Sequence, residues 1–404
     1  MKRFIKIIVM TGFFSLSLLF PASPSQPFLA GPPSSPSPAL DLHPTHVGSS
    51  SQPIMAENVC VSGDYAYVAD GEYGLKIINI SDPARPTNVY TSTGSKMAED
   101  ICVSGDYAYV ADGEYGLKIF DIHNPQYPNH IGSSTRSKMA KGIYVSGDYA
   151  YVADGEYGLK IFDIRNPTSP FYLSSSTRPK MAEDVYVSGN YAYVADGEYG
   201  LKIFKISDPT FPIYLASSNQ SSVFERLKMA EDVYVSGDYA YVADGEYGLK
   251  IFNVSNPAVP KYITSTNQPK MAKGVYVSGD FAYVADGENG LKTFNISDPA
   301  HPAYVTTINN RAYMAKGVYV SGDYVYVADG ENGLKVFNMR PKENNTDTSY
   351  INYLNPISTY PVYYNYINSY PNYIYTFPNY INSYLYNYTY PYTYNYQYVM
   401  CPFF

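Results

Sequence analysis

The chain has 404 residues, with 36 acidic against 28 basic side chains, a formal net charge of −8, no tryptophan and three cysteines. The acidic balance excludes a nucleic-acid binder, which needs a basic face, and three cysteines are too few for a disulfide framework. Without tryptophan, blades built on a Trp-Asp dipeptide are excluded as well.

Residues 1–23 begin with Lys2, Arg3 and Lys6, continue as an apolar run from Ile7 to Phe20, and end in Pro21-Ala22-Ser23. That is the layout of a secretory signal peptide. The apolar run is shorter than the ~20 residues a membrane span needs, so no span is expected in the mature chain. The expected location is therefore secreted or cell surface. Residues 24–43, rich in Pro and Ser, read as a spacer.

Residues 44–340 carry one unit seven times, starting at Val61, Val103, Val145, Val187, Val235, Val277 and Val320. In the first copy, Val59 and Val61 belong to a β-branched run that stops at Ser62-Gly63-Asp64. Tyr65 to Ala69 is a second run. An Asp70-Gly71 turn folds it onto a third, Leu75 to Ile80, as a hairpin. Pro83 and Pro86 break the chain before a fourth run at Thr87 to Ser92. Four strands recurring every ~40–45 residues predict an all-β, seven-bladed β-propeller of four-stranded blades. The seventh copy lacks a fourth strand. Pro44 to Ser50 matches Pro128 to Ser134, the fourth run of a complete copy, so an N-terminal strand should close the ring and leave no open edge.

Gly105 to Asp121, GDYAYVADGEYGLKIFD, followed by Asn124-Pro125, resembles the LVIVD repeat family, named after the third strand, here Leu117 to Asp121. Lys118 and Phe120 depart from the name without affecting the fold. The resemblance spans all seven copies. It implies a β-propeller typical of exported or cell-surface proteins of bacteria and archaea, largely without an assigned activity.

Residues 341–404 change character. From Ser349 on there is no charged residue, and Tyr366-Ile-Asn-Ser-Tyr370 recurs at Tyr380 to Tyr384. Such a disordered or low-complexity Tyr/Asn/Pro-rich tail suits anchoring or self-association rather than a packed domain.

Two sets of residues are candidates for a site. The turns between second and third strands put fourteen carboxylates on one face: Asp70, Glu72, Asp112, Glu114, Asp154, Glu156, Asp196, Glu198, Asp244, Glu246, Asp286, Glu288, Asp329 and Glu331. Hard oxygen ligands in a ring suit Ca²⁺ or a cationic partner, while Asp-Gly is also simply a favoured turn with Glu at a solvated tip. The second set is the link into each blade, acidic at Glu57, Glu99-Asp100, Glu183-Asp184 and Glu231-Asp232 and basic at Lys141, Lys273 and Lys316. An insertion, Gln220 to Leu227, adds Phe224, Glu225 and Arg226. Departures from a repeat are where a partner-binding rim is expected, although loops also drift.

Near-identical blades repeat every group, and the five histidines are scattered, so a convergent catalytic set is not visible. The expectation is a non-catalytic binding or structural module, without cofactor unless Ca²⁺, whose partner is a protein or cell-envelope component. The alternatives are an exported propeller enzyme, lactonase-like or another hydrolase, and a calcium-dependent adhesin. Cys60 and Cys102 stand where later copies carry Tyr144, Tyr186, Tyr234, Tyr276 and Tyr319. Neighbouring inner strands are expected to hold their Cα atoms beyond the ~7 Å disulfide limit, so these are expected to be two buried thiols. Cys401 lies in the tail.

Overall fold

The computed structural model describes residues 44–92, 94–218, 229–309, 312, 314–339, 374–375 and 384–385. The expected signal peptide, the spacer, the insertion with Phe224, Glu225 and Arg226, Cys401 and nearly all of the tail lie outside the described residues. By itself, the unit Lys342–Phe404 contributes one antiparallel pair, Ile374–Tyr375 with Tyr384–Leu385.

The repeat body is a seven-bladed propeller. Blade 1 is the antiparallel meander β2 (Asn58–Ser62), β3 (Tyr65–Ala69), β4 (Leu75–Asn79) and β5 (Thr87–Thr91). Blades 2 to 6 repeat it, from β6 (Asp100–Ser104), β10 (Gly142–Ser146), β14 (Asp184–Ser188), β18 (Asp232–Ser236) and β22 (Gly274–Ser278) as their innermost strands. Blade 7 supplies β26 (Gly317–Ser321), β27 (Tyr324–Ala328) and β28 (Leu334–Asn338). Its fourth strand is β1 (Thr45–Ser50), paired antiparallel with β28 from Thr45↔Asn338 to Ser50↔Leu334.

Alternation along the middle strands sorts side chains between two blade interfaces. Tyr67, Ala69, Leu75 and Ile77 pack against Ile101, Val110 and Phe120 of blade 2. Ala66, Val68 and Ile78 face the other way, onto Tyr326, Leu334 and Val336 of blade 7, which seals the ring. Both faces are buried, which is why these strands are apolar but for the lysine at the second position of each third strand and the polar residue that ends it. Burying Phe120 completely in such an interface is worth about 3–5 kcal/mol relative to alanine.

Deleting residues 44–51 would strip the partner from the whole of β28 and uncover the contact of Val47 with the blade 7–blade 1 core. We expect a loss of stability of roughly 3–5 kcal/mol and edge-to-edge association, read by urea unfolding and size-exclusion chromatography. An unchanged, monomeric protein would show that β1 is not the closing strand.

The direction of the strands positions everything that follows. β1 begins beside the end of β28, and the Met339 N–H donates to the Asp323 carbonyl in the Ser-Gly-Asp turn. The chain therefore joins and leaves the propeller on the face of the Ser-Gly-Asp turns. The links and the Asp-Gly turns occupy the opposite face.

Candidate functional site

Each link runs over the neighbouring Asp-Gly turn before dropping into an innermost strand. Gly71 and Ala98 exchange backbone hydrogen bonds at 3.0 and 2.8 Å, and the pair recurs around the ring. The residues that follow, Glu99-Asp100 and their equivalents, are thus delivered to the top of the inner strands. Sequence reasoning put these doublets on a rim. The structure instead brings all seven together at the mouth of the central channel, around a cavity of about 360 Å³.

The first residue of each doublet forms an outer ring. Lys141 pairs with Glu183 at 2.5 Å, Lys273 with Glu231 at 2.7 Å and Lys316 with Glu57 at 2.6 Å, each across a blade boundary. Glu99 is the carboxylate left over from these pairings. Burial, then the Glu57 charge, raises its pKa.

The second residue forms an inner ring of Asn58, Asp100, Gly142, Asp184, Asp232, Gly274 and Gly317. Asp100, 7 % exposed, accepts from the Asn58 amide at 2.5 Å and the Ile101 N–H at 2.7 Å, and from the Ile143 N–H of blade 3 at 2.7 Å. Asp232 accepts from Val275 N–H of blade 6 at 2.7 Å, and Asp184 from Val233 N–H of blade 5 at 3.2 Å. Each carboxylate thereby ties its blade to the next. Glycine is required where the ring is tightest: a Cβ on Gly142 would stand 2.6 Å from the Asp184 Cα, and one on Gly317 2.3 Å from the Asn58 Oδ1.

Burial pushes the Asp100 carboxyl up to about 7, with the Asp184 charge adding to it. Asp184 and Asp232 hydrogen-bond to one another, and burial raises both, Asp184 the more strongly because Asp232 also faces it. Chemically the mouth offers hydrogen-bond acceptors, buried carboxyls whose neutral forms burial favours, and one glutamate without a lysine of its own, which Lys141 and Lys316 offset in part.

Below the mouth, tyrosines stack edgewise around the channel: Tyr144–Tyr186, Tyr186–Tyr234, Tyr234–Tyr276 and Tyr276–Tyr319 have ring centroids 4.7 to 4.8 Å apart. Cys60 and Cys102 occupy the two remaining positions as free thiols. Above it, Met97, Met139, Met181, Met229, Met271 and Met314, between 37 and 47 % exposed, form a collar with the exposed Tyr73, Tyr157, Tyr199 and Tyr247. The methionines lie across the turn glycines: a Cβ on Gly155 would meet the Met139 Sδ at 2.3 Å.

The fourteen turn carboxylates divide into a buried set of seven and an exposed set of seven. Asp70, Asp112, Asp154, Asp196, Asp244, Asp286 and Asp329 are fully buried, and the Oδ1 of each accepts the N–H of the methionine fifteen residues before it. In blades 1, 3, 4, 5 and 6 the Oδ2 faces the lysine six residues on, as in Asp244–Lys250 at 2.9 Å. These aspartates staple turn to link through Oδ1, while the Oδ2 of Asp112 is buried with no hydrogen-bond partner among the described residues. Only Glu72, Glu114, Glu156, Glu198, Glu246, Glu288 and Glu331 reach solvent. Among the described residues no three His, Cys, Asp or Glu side chains are grouped to hold a metal ion.

Sequence reasoning missed the tyrosine belt and the methionine collar. The belt had a signal: positions two residues after the Glu/Lys–Asp doublet's second member share its face of the strand and so face the channel too.

Three comparisons bear on the chain. The family model described as LVIVD repeat matches residues 55–92, 95–135, 137–177, 179–220, 228–267, 269–310 and 313–337. Among curated proteins, none matches the chain in sequence. Similar solved structures include the computationally designed Ika8 protein (TM-score 0.55, 9 % identity, 72 % of this chain and 99 % of that one). The WD40 β-propeller domain of Doa1 has TM-score 0.58 at 9 % identity, over 74 % and 98 %. The β-propeller domain of Myceliophteria thermophila Cps50 (Swd1) has TM-score 0.58 at 12 % identity, over 74 % and 100 %. At these identities the likeness is one of fold, whereas the repeat match covers most of the chain: it belongs to the LVIVD repeat family.

Proposed function

We propose that this propeller is an exported, non-catalytic binding module, displayed at the cell surface or secreted, that docks a protein or cell-envelope partner on its channel-mouth face. The observation that carries the reading is the convergence of the blade-specific side chains. The residues that break the seven-fold repeat, Glu99, Asp100, Lys141, Asp184, Asp232 and their neighbours, gather at one mouth inside an exposed methionine collar, on the face opposite the one where the chain joins and leaves. Flexible thioethers around a charged centre suit a partner surface that is apolar outside and polar within. The layout of residues 1–23 supports export, and the uncharged tail supports anchoring or self-association.

The test is co-sedimentation of the mature protein with isolated envelopes, for the full chain and for one truncated after Asp347, each with calcium and with chelator. The expected result is that the full chain pellets and the truncated one stays at least tenfold more soluble, with chelator changing neither. Equal pelleting of both would assign anchoring to the propeller itself, and loss of pelleting with chelator would favour the calcium-dependent adhesin.

One observation favours a second reading, an exported hydrolase. Asp100, raised to about 7, near Asp184 and Asp232, which burial also raises, has the make-up of an acid/base group at neutral pH. Ester or lactone turnover abolished by Asp184→Asn, in a folded protein, would decide for it.

A further inference from the structure

We infer that Cys60 and Cys102, free thiols in this structure, close on oxidation into an inter-blade disulfide that ties blade 1 to blade 2 in the wall of the channel. The two cysteines are the third residues of β2 and β6, at one depth: Cys60 lies opposite Tyr67 and Cys102 opposite Tyr109. Both line the same cavity of about 130 Å³ below the mouth. The Cys60 sulfur is aimed at the backbone N–H of Val103, the residue after Cys102, so its side chain crosses the blade boundary; the Cys102 sulfur is aimed at Val145 of blade 3, so the bond requires Cys102 to turn back by a change of rotamer.

The spacing of the inner strands permits the bond. A Cβ on Gly142 would be 2.6 Å from the Asp184 Cα, one on Gly317 2.8 Å from the Asn58 Cα, and one on Gly274 3.3 Å from the Gly317 Cα. Adding a bond of ~1.5 Å puts neighbouring Cα atoms within about 4–5 Å at the mouth, two residues above the cysteines. A disulfide spans Cα atoms roughly 4.4–6.8 Å apart. At those three boundaries the inner strands stand closer together than the expectation of strands too far apart for a bridge.

The belt shows what the bond would replace. Tyrosines in five successive blades hold their boundaries by ring contact, and the two cysteines interrupt that belt at blades 1 and 2. A covalent link restores continuity there and closes a loop of the 42-residue repeat.

Chemically, the two thiols together lose two protons and two electrons as the S–S bond forms, and a disulfide donor such as oxidised glutathione is reduced to two thiols. Burial pushes the Cys60 thiol up to about 12, and only the thiolate attacks. Closure therefore occurs while the chain folds, and the finished dithiol oxidises slowly.

The test needs no assumption about export or partner, so its outcome is independent of the binding reading. The full chain is unfolded under reductant, refolded in a glutathione redox buffer, alkylated and digested with trypsin. Cleavage after Lys76 and Lys96 separates the two cysteines into different peptides. The expected product is one reductant-sensitive peptide pair joining Cys60 to Cys102, with a melting midpoint a few degrees above that of the reduced protein. Recovery of both cysteines alkylated, or joined to Cys401 instead, overturns the inference.

Discussion

Replacing Asp286 by alanine is expected to destabilise the propeller by about 3–5 kcal/mol, the cost of breaking a buried ion pair from one side. Asp286 is completely buried; its Oδ1 accepts N–H groups from Lys270 at 2.7 Å and Met271 at 2.5 Å, and its Oδ2 meets the Lys292 ammonium at 2.8 Å. Truncation leaves two link N–H groups without acceptors and a nearly buried lysine without a counter-charge. Each loss acts at the same place, where the link from blade 5 into blade 6 crosses the turn of blade 6. Asp286→Asn retains an oxygen for the N–H groups and loses only the pair, so a smaller loss, about 1–3 kcal/mol, is expected. Adding Lys292→Met to Asp286→Asn should return part of it, because the stranded charge is gone. Urea unfolding of the three variants reads the order directly. An alanine variant within 1 kcal/mol of the parent would mean that the turn aspartates are not staples.

The architecture was legible because it is local and repeated. The alternation in Tyr65 to Ala69, the Asp-Gly turn and the spare strand at Thr45 to Ser50 each specify a neighbour within one unit, and the ring follows by repetition. The mouth was not legible in the same way. Lys141 and Glu183 sit at the same repeat position 42 residues apart and touch only because the inner strands pack side by side around an axis. A repeat read as a linear unit places both on an unspecified rim. The turn aspartates misled for the opposite reason. Asp-Gly explains the turn so well that nothing points to the methionine N–H fifteen residues upstream, and the constancy of Met-Ala in every link was the overlooked sign that the link is packed rather than loose.

These staples separate what the fold uses from what it leaves free. The aspartates, the lysines facing them and the glycines under the methionines hold turn to link in each blade. The thioethers, the Glu tips and the outer-ring carboxylates remain on the accessible side. Selection on a partner surface can therefore alter the doublets blade by blade without disturbing the shared scaffold.

The inner ring should give the protein an inverted acid response, more stable near pH 5 than near pH 8. Asp100 is raised to about 7, and Asp184 and Asp232 are raised by burial and by each other. Between the ordinary carboxylate range near 4 and the raised values, the native state holds protons that the unfolded chain has released. The native state then binds more protons, so stability falls as pH rises through that window and levels off above it. For Asp100 alone the fall is bounded by roughly 4 kcal/mol. The groups facing this ring are Glu57, Glu99, Glu183 and Glu231 with Lys141, Lys273 and Lys316 above, and the tyrosines below, with Tyr319 pushed up to about 12 by burial. Asp70 and Asp196, also raised by burial, add to the same slope. Urea midpoints from pH 5 to 8 should fall for the parent and flatten for Asp184→Asn, whose amide carries no titrating proton. At pH 8 that variant should be the more stable of the two, since it relieves a buried carboxylate of facing Asp232. A parent whose stability rises across this range would mean that the inner-ring carboxylates are ionised in the native state.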